Sequence, residues 1–223
     1  MKRLLLNGSP RGRDGNSRRI LAWIAEGLGQ TGIPGPPIVD LAPQPTRPEP
    51  LQAFLDADEV VLSFPLYTDS MPAIVKAFFE SLSAVDPARL RGKRVAFIIQ
   101  SGFPEGVHTE VLGDYLARLS ERLGFLHLGT LRKGNVESIR SIPERQVAKV
   151  AELFRVAGRE LGEDGEFSVE LARRMAGPRT FGPVMRTVLR IVIWTGLANF
   201  YWNSHLKRNG AFHRRFDAPY GKA

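Results

Sequence analysis

The polar segment that follows the first apolar run contains the residues best suited to chemistry. Residues 4–19 have the sequence LLLNGSPRGRDGNSRR, in which three leucines precede glycines, hydroxyls and guanidinium groups. Gly12 and Gly15 allow close backbone approach to a ligand, and Ser9 and Ser17 provide hydroxyl donors. Free N–H groups at a helix N-terminus also attract phosphate. The pattern predicts a phosphate-binding loop between a buried strand and a helix that begins near Ser17.

Two familiar nucleotide loops are excluded by this sequence. No Lys follows the glycines, so the segment is not GxxxxGK[ST], and its glycine spacing is not GxGxxG. A polar connection without a ligand also fits the segment taken alone. The loop therefore indicates an anion site and leaves the identity of the anion open.

Two further loops follow apolar, β-forming runs. Residues 59–64 (EVVLSF) lead into PLYTDSMP, which offers an aromatic ring, hydroxyls and a carboxylate. Residues 95–99 (VAFII) lead into QSGFPEG, whose glycines permit close backbone approach. Ligands of open α/β sheets bind at the carboxyl ends of the strands. Tyr67 and Met71 could instead be core residues beneath a loop.

Strand and helix patterns alternate five times along the chain. This alternation predicts an α/β three-layer sandwich with a five-stranded parallel sheet in the order 2-1-3-4-5. The proline-rich stretch 42–50 is expected to be a loop. The ligand loops should then converge where the strand order reverses.

Three segments together resemble the NAD(P)H-dependent FMN reductase family of flavodoxin-like flavoproteins. They are NGSPRGRDGNS at 7–17, FPLYTDSMPAIVKAFFE at 64–80 and QSGFPEG at 100–106. The resemblance covers about residues 1–160 and implies an FMN-binding domain over 1–163. It also implies that NADPH or NADH is a transient electron donor.

The resemblance implies FMN contacts in all three loops. The phosphate would contact Ser9, Arg11, Asn16 and Ser17. The isoalloxazine ring would lie beside Pro65, Leu66, Tyr67, Thr68, Asp69 and Ser70, with its other edge closed by Ser101, Gly102 and Phe103. Arg13, Arg18 and Arg19 are expected to be solvated. No catalytic acid or base is assigned, because hydride transfer is the chemistry of the flavin itself.

The expected function is FMN-dependent transfer of electrons from NAD(P)H to a flavin, a quinone or another small acceptor. One alternative is a non-enzymatic electron carrier like flavodoxin. The net charge of −1 over the first 172 residues argues mildly against that alternative, because docking carriers are usually acidic. Another alternative is a membrane-surface adaptor that uses a basic C-terminal helix.

The composition excludes several other kinds of site. The chain has no cysteine, so it has no disulfide, cysteine-ligated iron–sulfur cluster or catalytic thiol. His205 and His213 lack a nearby third ligand, and no metal site is expected. The N-terminus does not have the pattern of a signal peptide, so a cytoplasmic location is expected.

The predicted extension, residues 164–223, differs sharply in charge from the rest. From Arg173 onward the net charge is +9. The apolar run 181–206 contains Arg186 and Arg190, which argue against a membrane span. It could lie on a membrane surface or pack against a subunit, and a homo-oligomer arm is the preferred hypothesis. Basic residues interleave with Phe212, Phe216 and Tyr220, but a nucleic-acid partner is not expected.

Overall fold

A parallel β-sheet forms the centre of the computed structural model, which describes residues 1–43, 47–197 and 199–218. Within these residues the sheet has five strands in the order β2-β1-β3-β4-β5, as predicted. The fold class predicted from the alternating pattern is thereby confirmed. The strands are β1 (Arg3–Asn7), β2 (Ile38–Asp40), β3 (Glu59–Pro65), β4 (Arg94–Gln100) and β5 (Leu126–Lys133).

Helices cover both faces of this sheet and leave an apolar core on each side. Helices α1, α6 and α7 pack on one face, and α2, α3 and α5 pack on the other. The helices of the first compact unit are α1 (Asn16–Gln30), α2 (Pro48–Asp56), α3 (Ala73–Ser81), α4 (Pro87–Leu90), α5 (Val107–Leu123), α6 (Glu144–Glu163) and α7 (Val169–Ala176).

The strand sequences explain why both faces are covered. Every residue of β3 is buried, and Val61 faces the α1 core whereas Leu62 faces the α3 core. A strand between two helical layers needs apolar side chains on both faces, which gives a continuous apolar run. The same logic explains the uninterrupted VAFII segment of β4.

Close packing between α1 and α6 fixes the position of the first helix. A Cβ atom at Gly27 would lie 2.1 Å from the carbonyl oxygen of Arg155, and one at Gly158 would lie 2.3 Å from that of Ile24. Neither position can hold a side chain without separating the helices. The C-terminal half of α1 is thereby held close against α6.

An ion-pair cluster closes the amino end of the sheet. The carboxylate of Glu59 is fully buried and accepts from Arg3 Nε at 2.5 Å and from Arg94 Nε at 3.1 Å. Arg94 also donates to the carbonyl oxygen of Gly165 at 2.6 Å. This buried carboxylate therefore has charged partners on both sides, as a buried charge requires.

The region 42–50 departs from its predicted loop conformation. Helix α2 begins at Pro48, and Pro50 lies in its first turn. Proline suits a first turn because the N–H groups there have no partner within the helix. The other part of the predicted loop includes residues 44–46, which lie outside the described residues.

The first compact unit extends to Thr180, whereas the sequence-based domain ends at 163. The additional helix α7 buries Leu171 and Met175 in the core beside β5. Phe167 N donates to the Leu128 carbonyl of β5 at 3.0 Å. The boundary lies later because an eight-residue amphipathic helix completes one face of the core.

The second compact unit, residues 181–223, contains α8 (Pro183–Trp194) and α9 (Asn199–Arg208). All residues of α8 are described, and none is buried. No helix in the described parts of the chain has the length and apolar character needed to cross a membrane. Tyr220, one of the interleaved aromatic residues, lies outside the described residues.

Candidate functional site

The loop between β1 and α1 is a compact, internally bonded structure. Arg11 N donates to Ser9 Oγ at 3.3 Å, and Gly12 N donates to the Ser9 carbonyl oxygen at 2.9 Å. A Cβ atom at Gly15 would lie 2.3 Å from Ser9 Oγ, so this position requires glycine. Gly15 is also the N-cap of α1 and provides no side-chain capping bond. Within the described residues, the N-cap position of this helix therefore provides no side-chain cap for the N–H groups of the first turn.

Ser17 supplies the clearest indication of a ligand at this helix end. Its side chain is fully buried in the first turn of α1, and Oγ has no hydrogen-bond partner among the described residues. Buried hydroxyls are almost always hydrogen-bonded, because desolvation without a partner costs about 1–3 kcal/mol. A phosphate at the N-terminus of α1 would provide an acceptor for this hydroxyl, so the residues present fit such a group.

Two more unpartnered polar atoms occur on neighbouring strand ends. Ser63 Oγ of β3 and Gln100 Oε1 of β4 are buried without a hydrogen bond among the described residues. Ser63 is paired in register with Asn7, the last residue of β1. Their alternation with Val61 and Ile98 puts both side chains on the face covered by α1. Among the described residues, unsatisfied polar atoms therefore gather where the predicted ligand loops begin.

Asn16 is engaged with a fourth loop, which follows β5. Its side-chain nitrogen donates to the carbonyl oxygens of Val136 at 2.9 Å and Glu137 at 3.0 Å. Its side-chain oxygen accepts from Arg140 N at 3.2 Å. Both side-chain amide hydrogens of Asn16 are thus donated to carbonyl oxygens of the fourth loop. Asn16, a predicted phosphate contact, therefore holds the start of α1 against that loop.

The two arginines of the first loop, Arg11 and Arg13, differ in their contacts and exposure. Arg11 Nη1 lies 3.5 Å from Glu137 Oε1, and both side chains remain about half exposed. Such an exposed ion pair contributes little and leaves the guanidinium able to bind another anion. Arg13 is 86% exposed, in agreement with the expectation of a solvated charge.

The expectation that Arg18 and Arg19 are solvated is wrong. Arg18 Nη1 contacts both carboxylate oxygens of Asp40, at 3.1 and 3.0 Å. Arg19 donates to Glu144 Oε2 at 2.7 Å and stacks over the ring of Trp23. The Arg19 hydrogen bond lowers the pKa of Glu144 from its usual value. These two arginines join α1 to β2 and α6 because charged partners lie on adjacent elements.

The loop after β3 contains a strained tight turn. Pro65 is buried at the strand end, and Leu66 N donates to the Gln100 carbonyl oxygen of β4 at 2.8 Å. Tyr67 and Ser70 exchange backbone hydrogen bonds around Thr68 and Asp69, whose φ angles are 48° and 59°. Two consecutive positive φ values are typical of a type I′ turn, which glycine or asparagine usually occupies. Left-handed backbone costs about 1–2 kcal/mol per residue, so surrounding contacts hold this turn.

The same loop resolves the alternative in which its apolar residues belong to the core. Tyr67 is 41% exposed, whereas Met71 is buried in the core with Val75. The turn residues between them, Thr68 to Ser70, are exposed. The loop therefore presents an aromatic ring and polar groups while Met71 anchors it.

The loop after β4 presents a second aromatic ring. Ser101 is buried and its Oγ donates to the Phe103 carbonyl oxygen at 3.0 Å. Phe103 is 56% exposed and stacks on His108, with ring centroids 4.5 Å apart. A Cβ atom at Gly102 would lie 3.4 Å from Glu137 Cβ, so this glycine lies against the fourth loop.

Hydrogen bonds between strand ends connect the loops. Gly8 N donates to the Ser63 carbonyl oxygen at 2.8 Å, and Ser101 N donates to that of Lys133 at 3.0 Å. Val136 N donates to the Ser101 carbonyl oxygen at 3.1 Å. Burial lowers the pKa of Lys133, the last residue of β5. The three predicted loops therefore lie at the carboxyl end of the sheet together with a fourth loop that the sequence did not predict.

Glu137 is the main residue that sequence reasoning missed. It pairs with Arg11, accepts through its carbonyl oxygen from Asn16, and borders Gly102. The only signal in the sequence was Gly134 and Asn135 after the fifth strand, a turn pattern without obvious chemistry. Among the described residues, no cluster of three or more acidic, His or Cys residues could hold a metal ion.

Comparison with known proteins provides an independent test of this architecture. Residues 1–155 match a family model described as a flavodoxin-like fold. No curated protein matches the sequence. Three solved structures have 14–16% identity and TM-scores of 0.53–0.55, a likeness that concerns the fold alone.

Each of the three structures matches roughly three quarters of this chain and nearly all of its own length. A WrbA-like flavodoxin from Agrobacterium tumefaciens has 16% identity and a TM-score of 0.55, covering 78% of this chain and 99% of that one. An NADPH-quinone reductase from P. pentosaceus has 14% identity and a TM-score of 0.53, covering 74% and 99%. General stress protein 14 from Treponema denticola, solved with FMN, has 14% identity and a TM-score of 0.54, covering 72% and 99%.

Proposed function

The chain belongs to the family with a flavodoxin-like fold, and we propose that it is an FMN-dependent NAD(P)H oxidoreductase. Family membership agrees with the resemblance to FMN reductases that the three loops carry. The proposed electron donor is NADPH or NADH, and the proposed acceptor is a flavin, a quinone or another small molecule. A cytoplasmic location and homo-oligomerisation stay predictions.

The buried, unpartnered Ser17 hydroxyl is the observation that carries the proposal. A dianionic phosphate at the α1 N-terminus would accept from this hydroxyl and from the backbone N–H groups of the first turn. Because Gly15 has no side chain, Ser9 Oγ lies close to the start of α1 and would border the same phosphate. The Arg11 guanidinium would add a positive charge beside it. Asn16 would hold the fourth loop in place beside the phosphate.

The proposed ring site uses the loops after β3 and β4. Tyr67 and Phe103 expose aromatic surface, which suits a flat, amphipathic ring. The turn at Thr68 and Asp69 is held by the Tyr67–Ser70 hydrogen bonds, so its backbone is organised before a ligand binds. Pro65, Leu66 and Ser70 would line the same side, with Ser101 and Gly102 at the other edge.

When bound, FMN supplies the hydride and electron-transfer chemistry. The residues of this chain would position the ring, hold its phosphate and leave one face open to small molecules. No side chain is assigned as acid or base.

Flavin binding is tested by the visible spectrum of the purified full chain and by titration with FMN. We expect absorbance from bound oxidised flavin, or quenching of FMN fluorescence when the cofactor is added to the protein. A chain that carries no flavin and shows no affinity for added FMN contradicts the proposal. Riboflavin serves as the matched ligand, since it has the ring without the phosphate.

Enzymatic turnover is tested separately from binding. The FMN-loaded protein should oxidise NADPH or NADH in the steady state when a quinone or free flavin is supplied. Binding of FMN without such turnover would favour the non-enzymatic carrier. The two nicotinamide donors should be compared at equal concentrations, because the sequence does not distinguish them.

A further inference from the structure

Helix α8 presents an unusually apolar surface to solvent. None of its residues is buried, and its exposed side chains include valine, methionine, leucine, isoleucine and tryptophan. Single exposed apolar residues are ordinary, but a contiguous apolar patch on a protein marks an interaction surface. The exposed apolar residues are Val184, Met185, Val188, Leu189, Ile191, Ile193 and Trp194.

The two arginines of α8 lie on the side opposite most of its apolar residues, whereas Trp194 follows Arg190 by four residues and shares the arginine side. Arg186 and Arg190 are four residues apart and therefore share one side. Val184, Val188 and Ile191 follow the i, i+4, i+7 pattern of a second row, and Met185 and Leu189 continue an adjacent row. This segregation is typical of a helix that lies in the plane of an interface.

The positive charge of the second unit favours a negatively charged surface as the partner that covers α8. Residues 181–223 contain seven Lys or Arg and one acidic residue, Asp217, which pairs with Arg214 at 2.9 Å. Residues 1–180 have a net charge of +2. A second copy of the chain is therefore positive overall and would repel this unit on balance. An anionic lipid surface is negative and also accepts apolar side chains.

Aromatic residues beside the cations strengthen this assignment. Trp194 at the end of α8 is 86% exposed, and Phe200 on α9 is also exposed. The Arg215 guanidinium lies 4.2 Å from the Phe212 ring centroid and 4.6 Å from that of Phe216. Aromatic rings with adjacent cations suit the headgroup region, where one end of the side chain is apolar and the other is hydrated.

We propose that residues 181–218 bind the surface of a membrane containing anionic phospholipid. Helix α8 would lie parallel to the surface, with its valine, leucine and isoleucine rows towards the acyl chains. Arg186 and Arg190 would contact lipid phosphates, together with the basic residues of α9 and beyond. This surface association is independent of flavin binding by the first unit.

Co-sedimentation of the full chain with vesicles tests this proposal. One set of vesicles contains phosphatidylcholine alone, and the other contains phosphatidylcholine with phosphatidylglycerol. We expect binding to the anionic vesicles with a blue shift of tryptophan fluorescence, and much weaker binding to the neutral ones. The R186Q/R190Q variant should bind about 30-fold more weakly, since each basic residue near such a surface contributes about fivefold.

A matched variant controls for charge removal in general. R145Q/K149Q removes two exposed cations at the same spacing on α6 and should bind the vesicles like the unchanged chain. Light scattering without lipid gives the oligomeric state of each variant. Absence of vesicle binding, equal binding to neutral vesicles, or an oligomer that R186Q/R190Q dissociates would each overturn the proposal. Retention on an oligonucleotide with none on vesicles would overturn it as well.

Discussion

The two ends of the central sheet handle buried polar groups in opposite ways. At the amino end, Glu59 is fully buried and both of its carboxylate oxygens have arginine partners. At the carboxyl end, Ser17, Ser63 and Gln100 each bury a polar atom that has no partner among the described residues. The amino end is therefore complete as a structure, whereas the carboxyl end has hydrogen-bonding capacity that only a ligand or water can use.

This difference separates residues that stabilise the fold from residues that we propose lie at a binding site. A polar group whose partners lie in the protein contributes to folding, and its loss destabilises the native state. A polar group without a protein partner makes the native state less stable than it could be, which is common at functional sites. Substitutions at the two ends should therefore affect different measurements.

The largest effect is expected at the amino end. Glu59→Ala should lower the free energy of unfolding by about 3–5 kcal/mol, because it leaves Arg3 and Arg94 without their buried partner. Urea denaturation measures the change. Glu163→Ala, which removes an exposed carboxylate at the end of α6, should change stability by no more than about 0.5 kcal/mol. Equal effects of the two substitutions would contradict the structural role of Glu59.

At the carboxyl end of the sheet, a substitution should weaken FMN binding rather than destabilise the chain. Ser17→Ala should weaken FMN binding about 10- to 100-fold, the value of a hydrogen bond to a charged group. The flavin-free chain should not lose stability and should gain up to about 1–3 kcal/mol, because the substitution removes a buried hydroxyl that has no protein partner among the described residues. Fluorescence titration and urea denaturation measure the two quantities.

Ser120→Ala provides the matched control for Ser17→Ala. Ser120 is also fully buried, but its Oγ donates to the Leu116 carbonyl oxygen at 2.8 Å. Its substitution should cost about 1 kcal/mol of stability and leave FMN affinity unchanged. If both serine variants bound FMN alike, Ser17 would not be a phosphate contact.

The smallest expected effect is a pH dependence at the amino half of β5. Burial lowers the pKa of His127, which is half-buried and lies 2.9 Å from Thr130 Oγ1 through Nε2. The unfolded chain therefore binds this proton at a higher pH than the folded chain does. As the pH falls below about 6.5, the free energy of unfolding therefore decreases. The loss should remain below about 1 kcal/mol, because part of the ring contacts solvent.

His127→Gln should abolish this component of the pH dependence. Urea denaturation at pH 8 and pH 6 should show a smaller loss of stability for the variant than for the unchanged chain. A loss of the same size in both would mean that His127 does not titrate between those values.

The sheet order could be predicted because it follows from the hydrophobic pattern of short segments of sequence and from their alternation with helices. Uninterrupted apolar runs such as VAFII occur only where both faces of a strand are covered, and alternation with helices then makes the strands parallel. The loop after β1 was equally visible, since glycine and hydroxyl spacing is local information. This local pattern indicated Ser17 as a candidate phosphate contact, which stays a prediction, whereas its lack of a protein partner among the described residues appears only in three dimensions.

Other features depend on contacts between distant residues or on unusual backbone. The Asn16 side chain bonds to Val136, 120 positions along the chain, which no local pattern indicates. Thr68 and Asp69 adopt positive φ without being glycine, so the turn had no residue signature. Helix α7 was missed because a short helix owes its stability mainly to the core that Leu171 and Met175 join.

The segment beyond α6 has a practical consequence for where the chain can be divided. Strand β5 is the last strand of the sheet, and its outer backbone receives a hydrogen bond from Phe167. Gly106 N and Val107 N at the start of α5 bond to the carbonyl oxygens of Pro178 and Arg179. A fragment ending at 163 would leave a bare sheet edge, which promotes aggregation, whereas one ending at Thr180 would keep that edge protected.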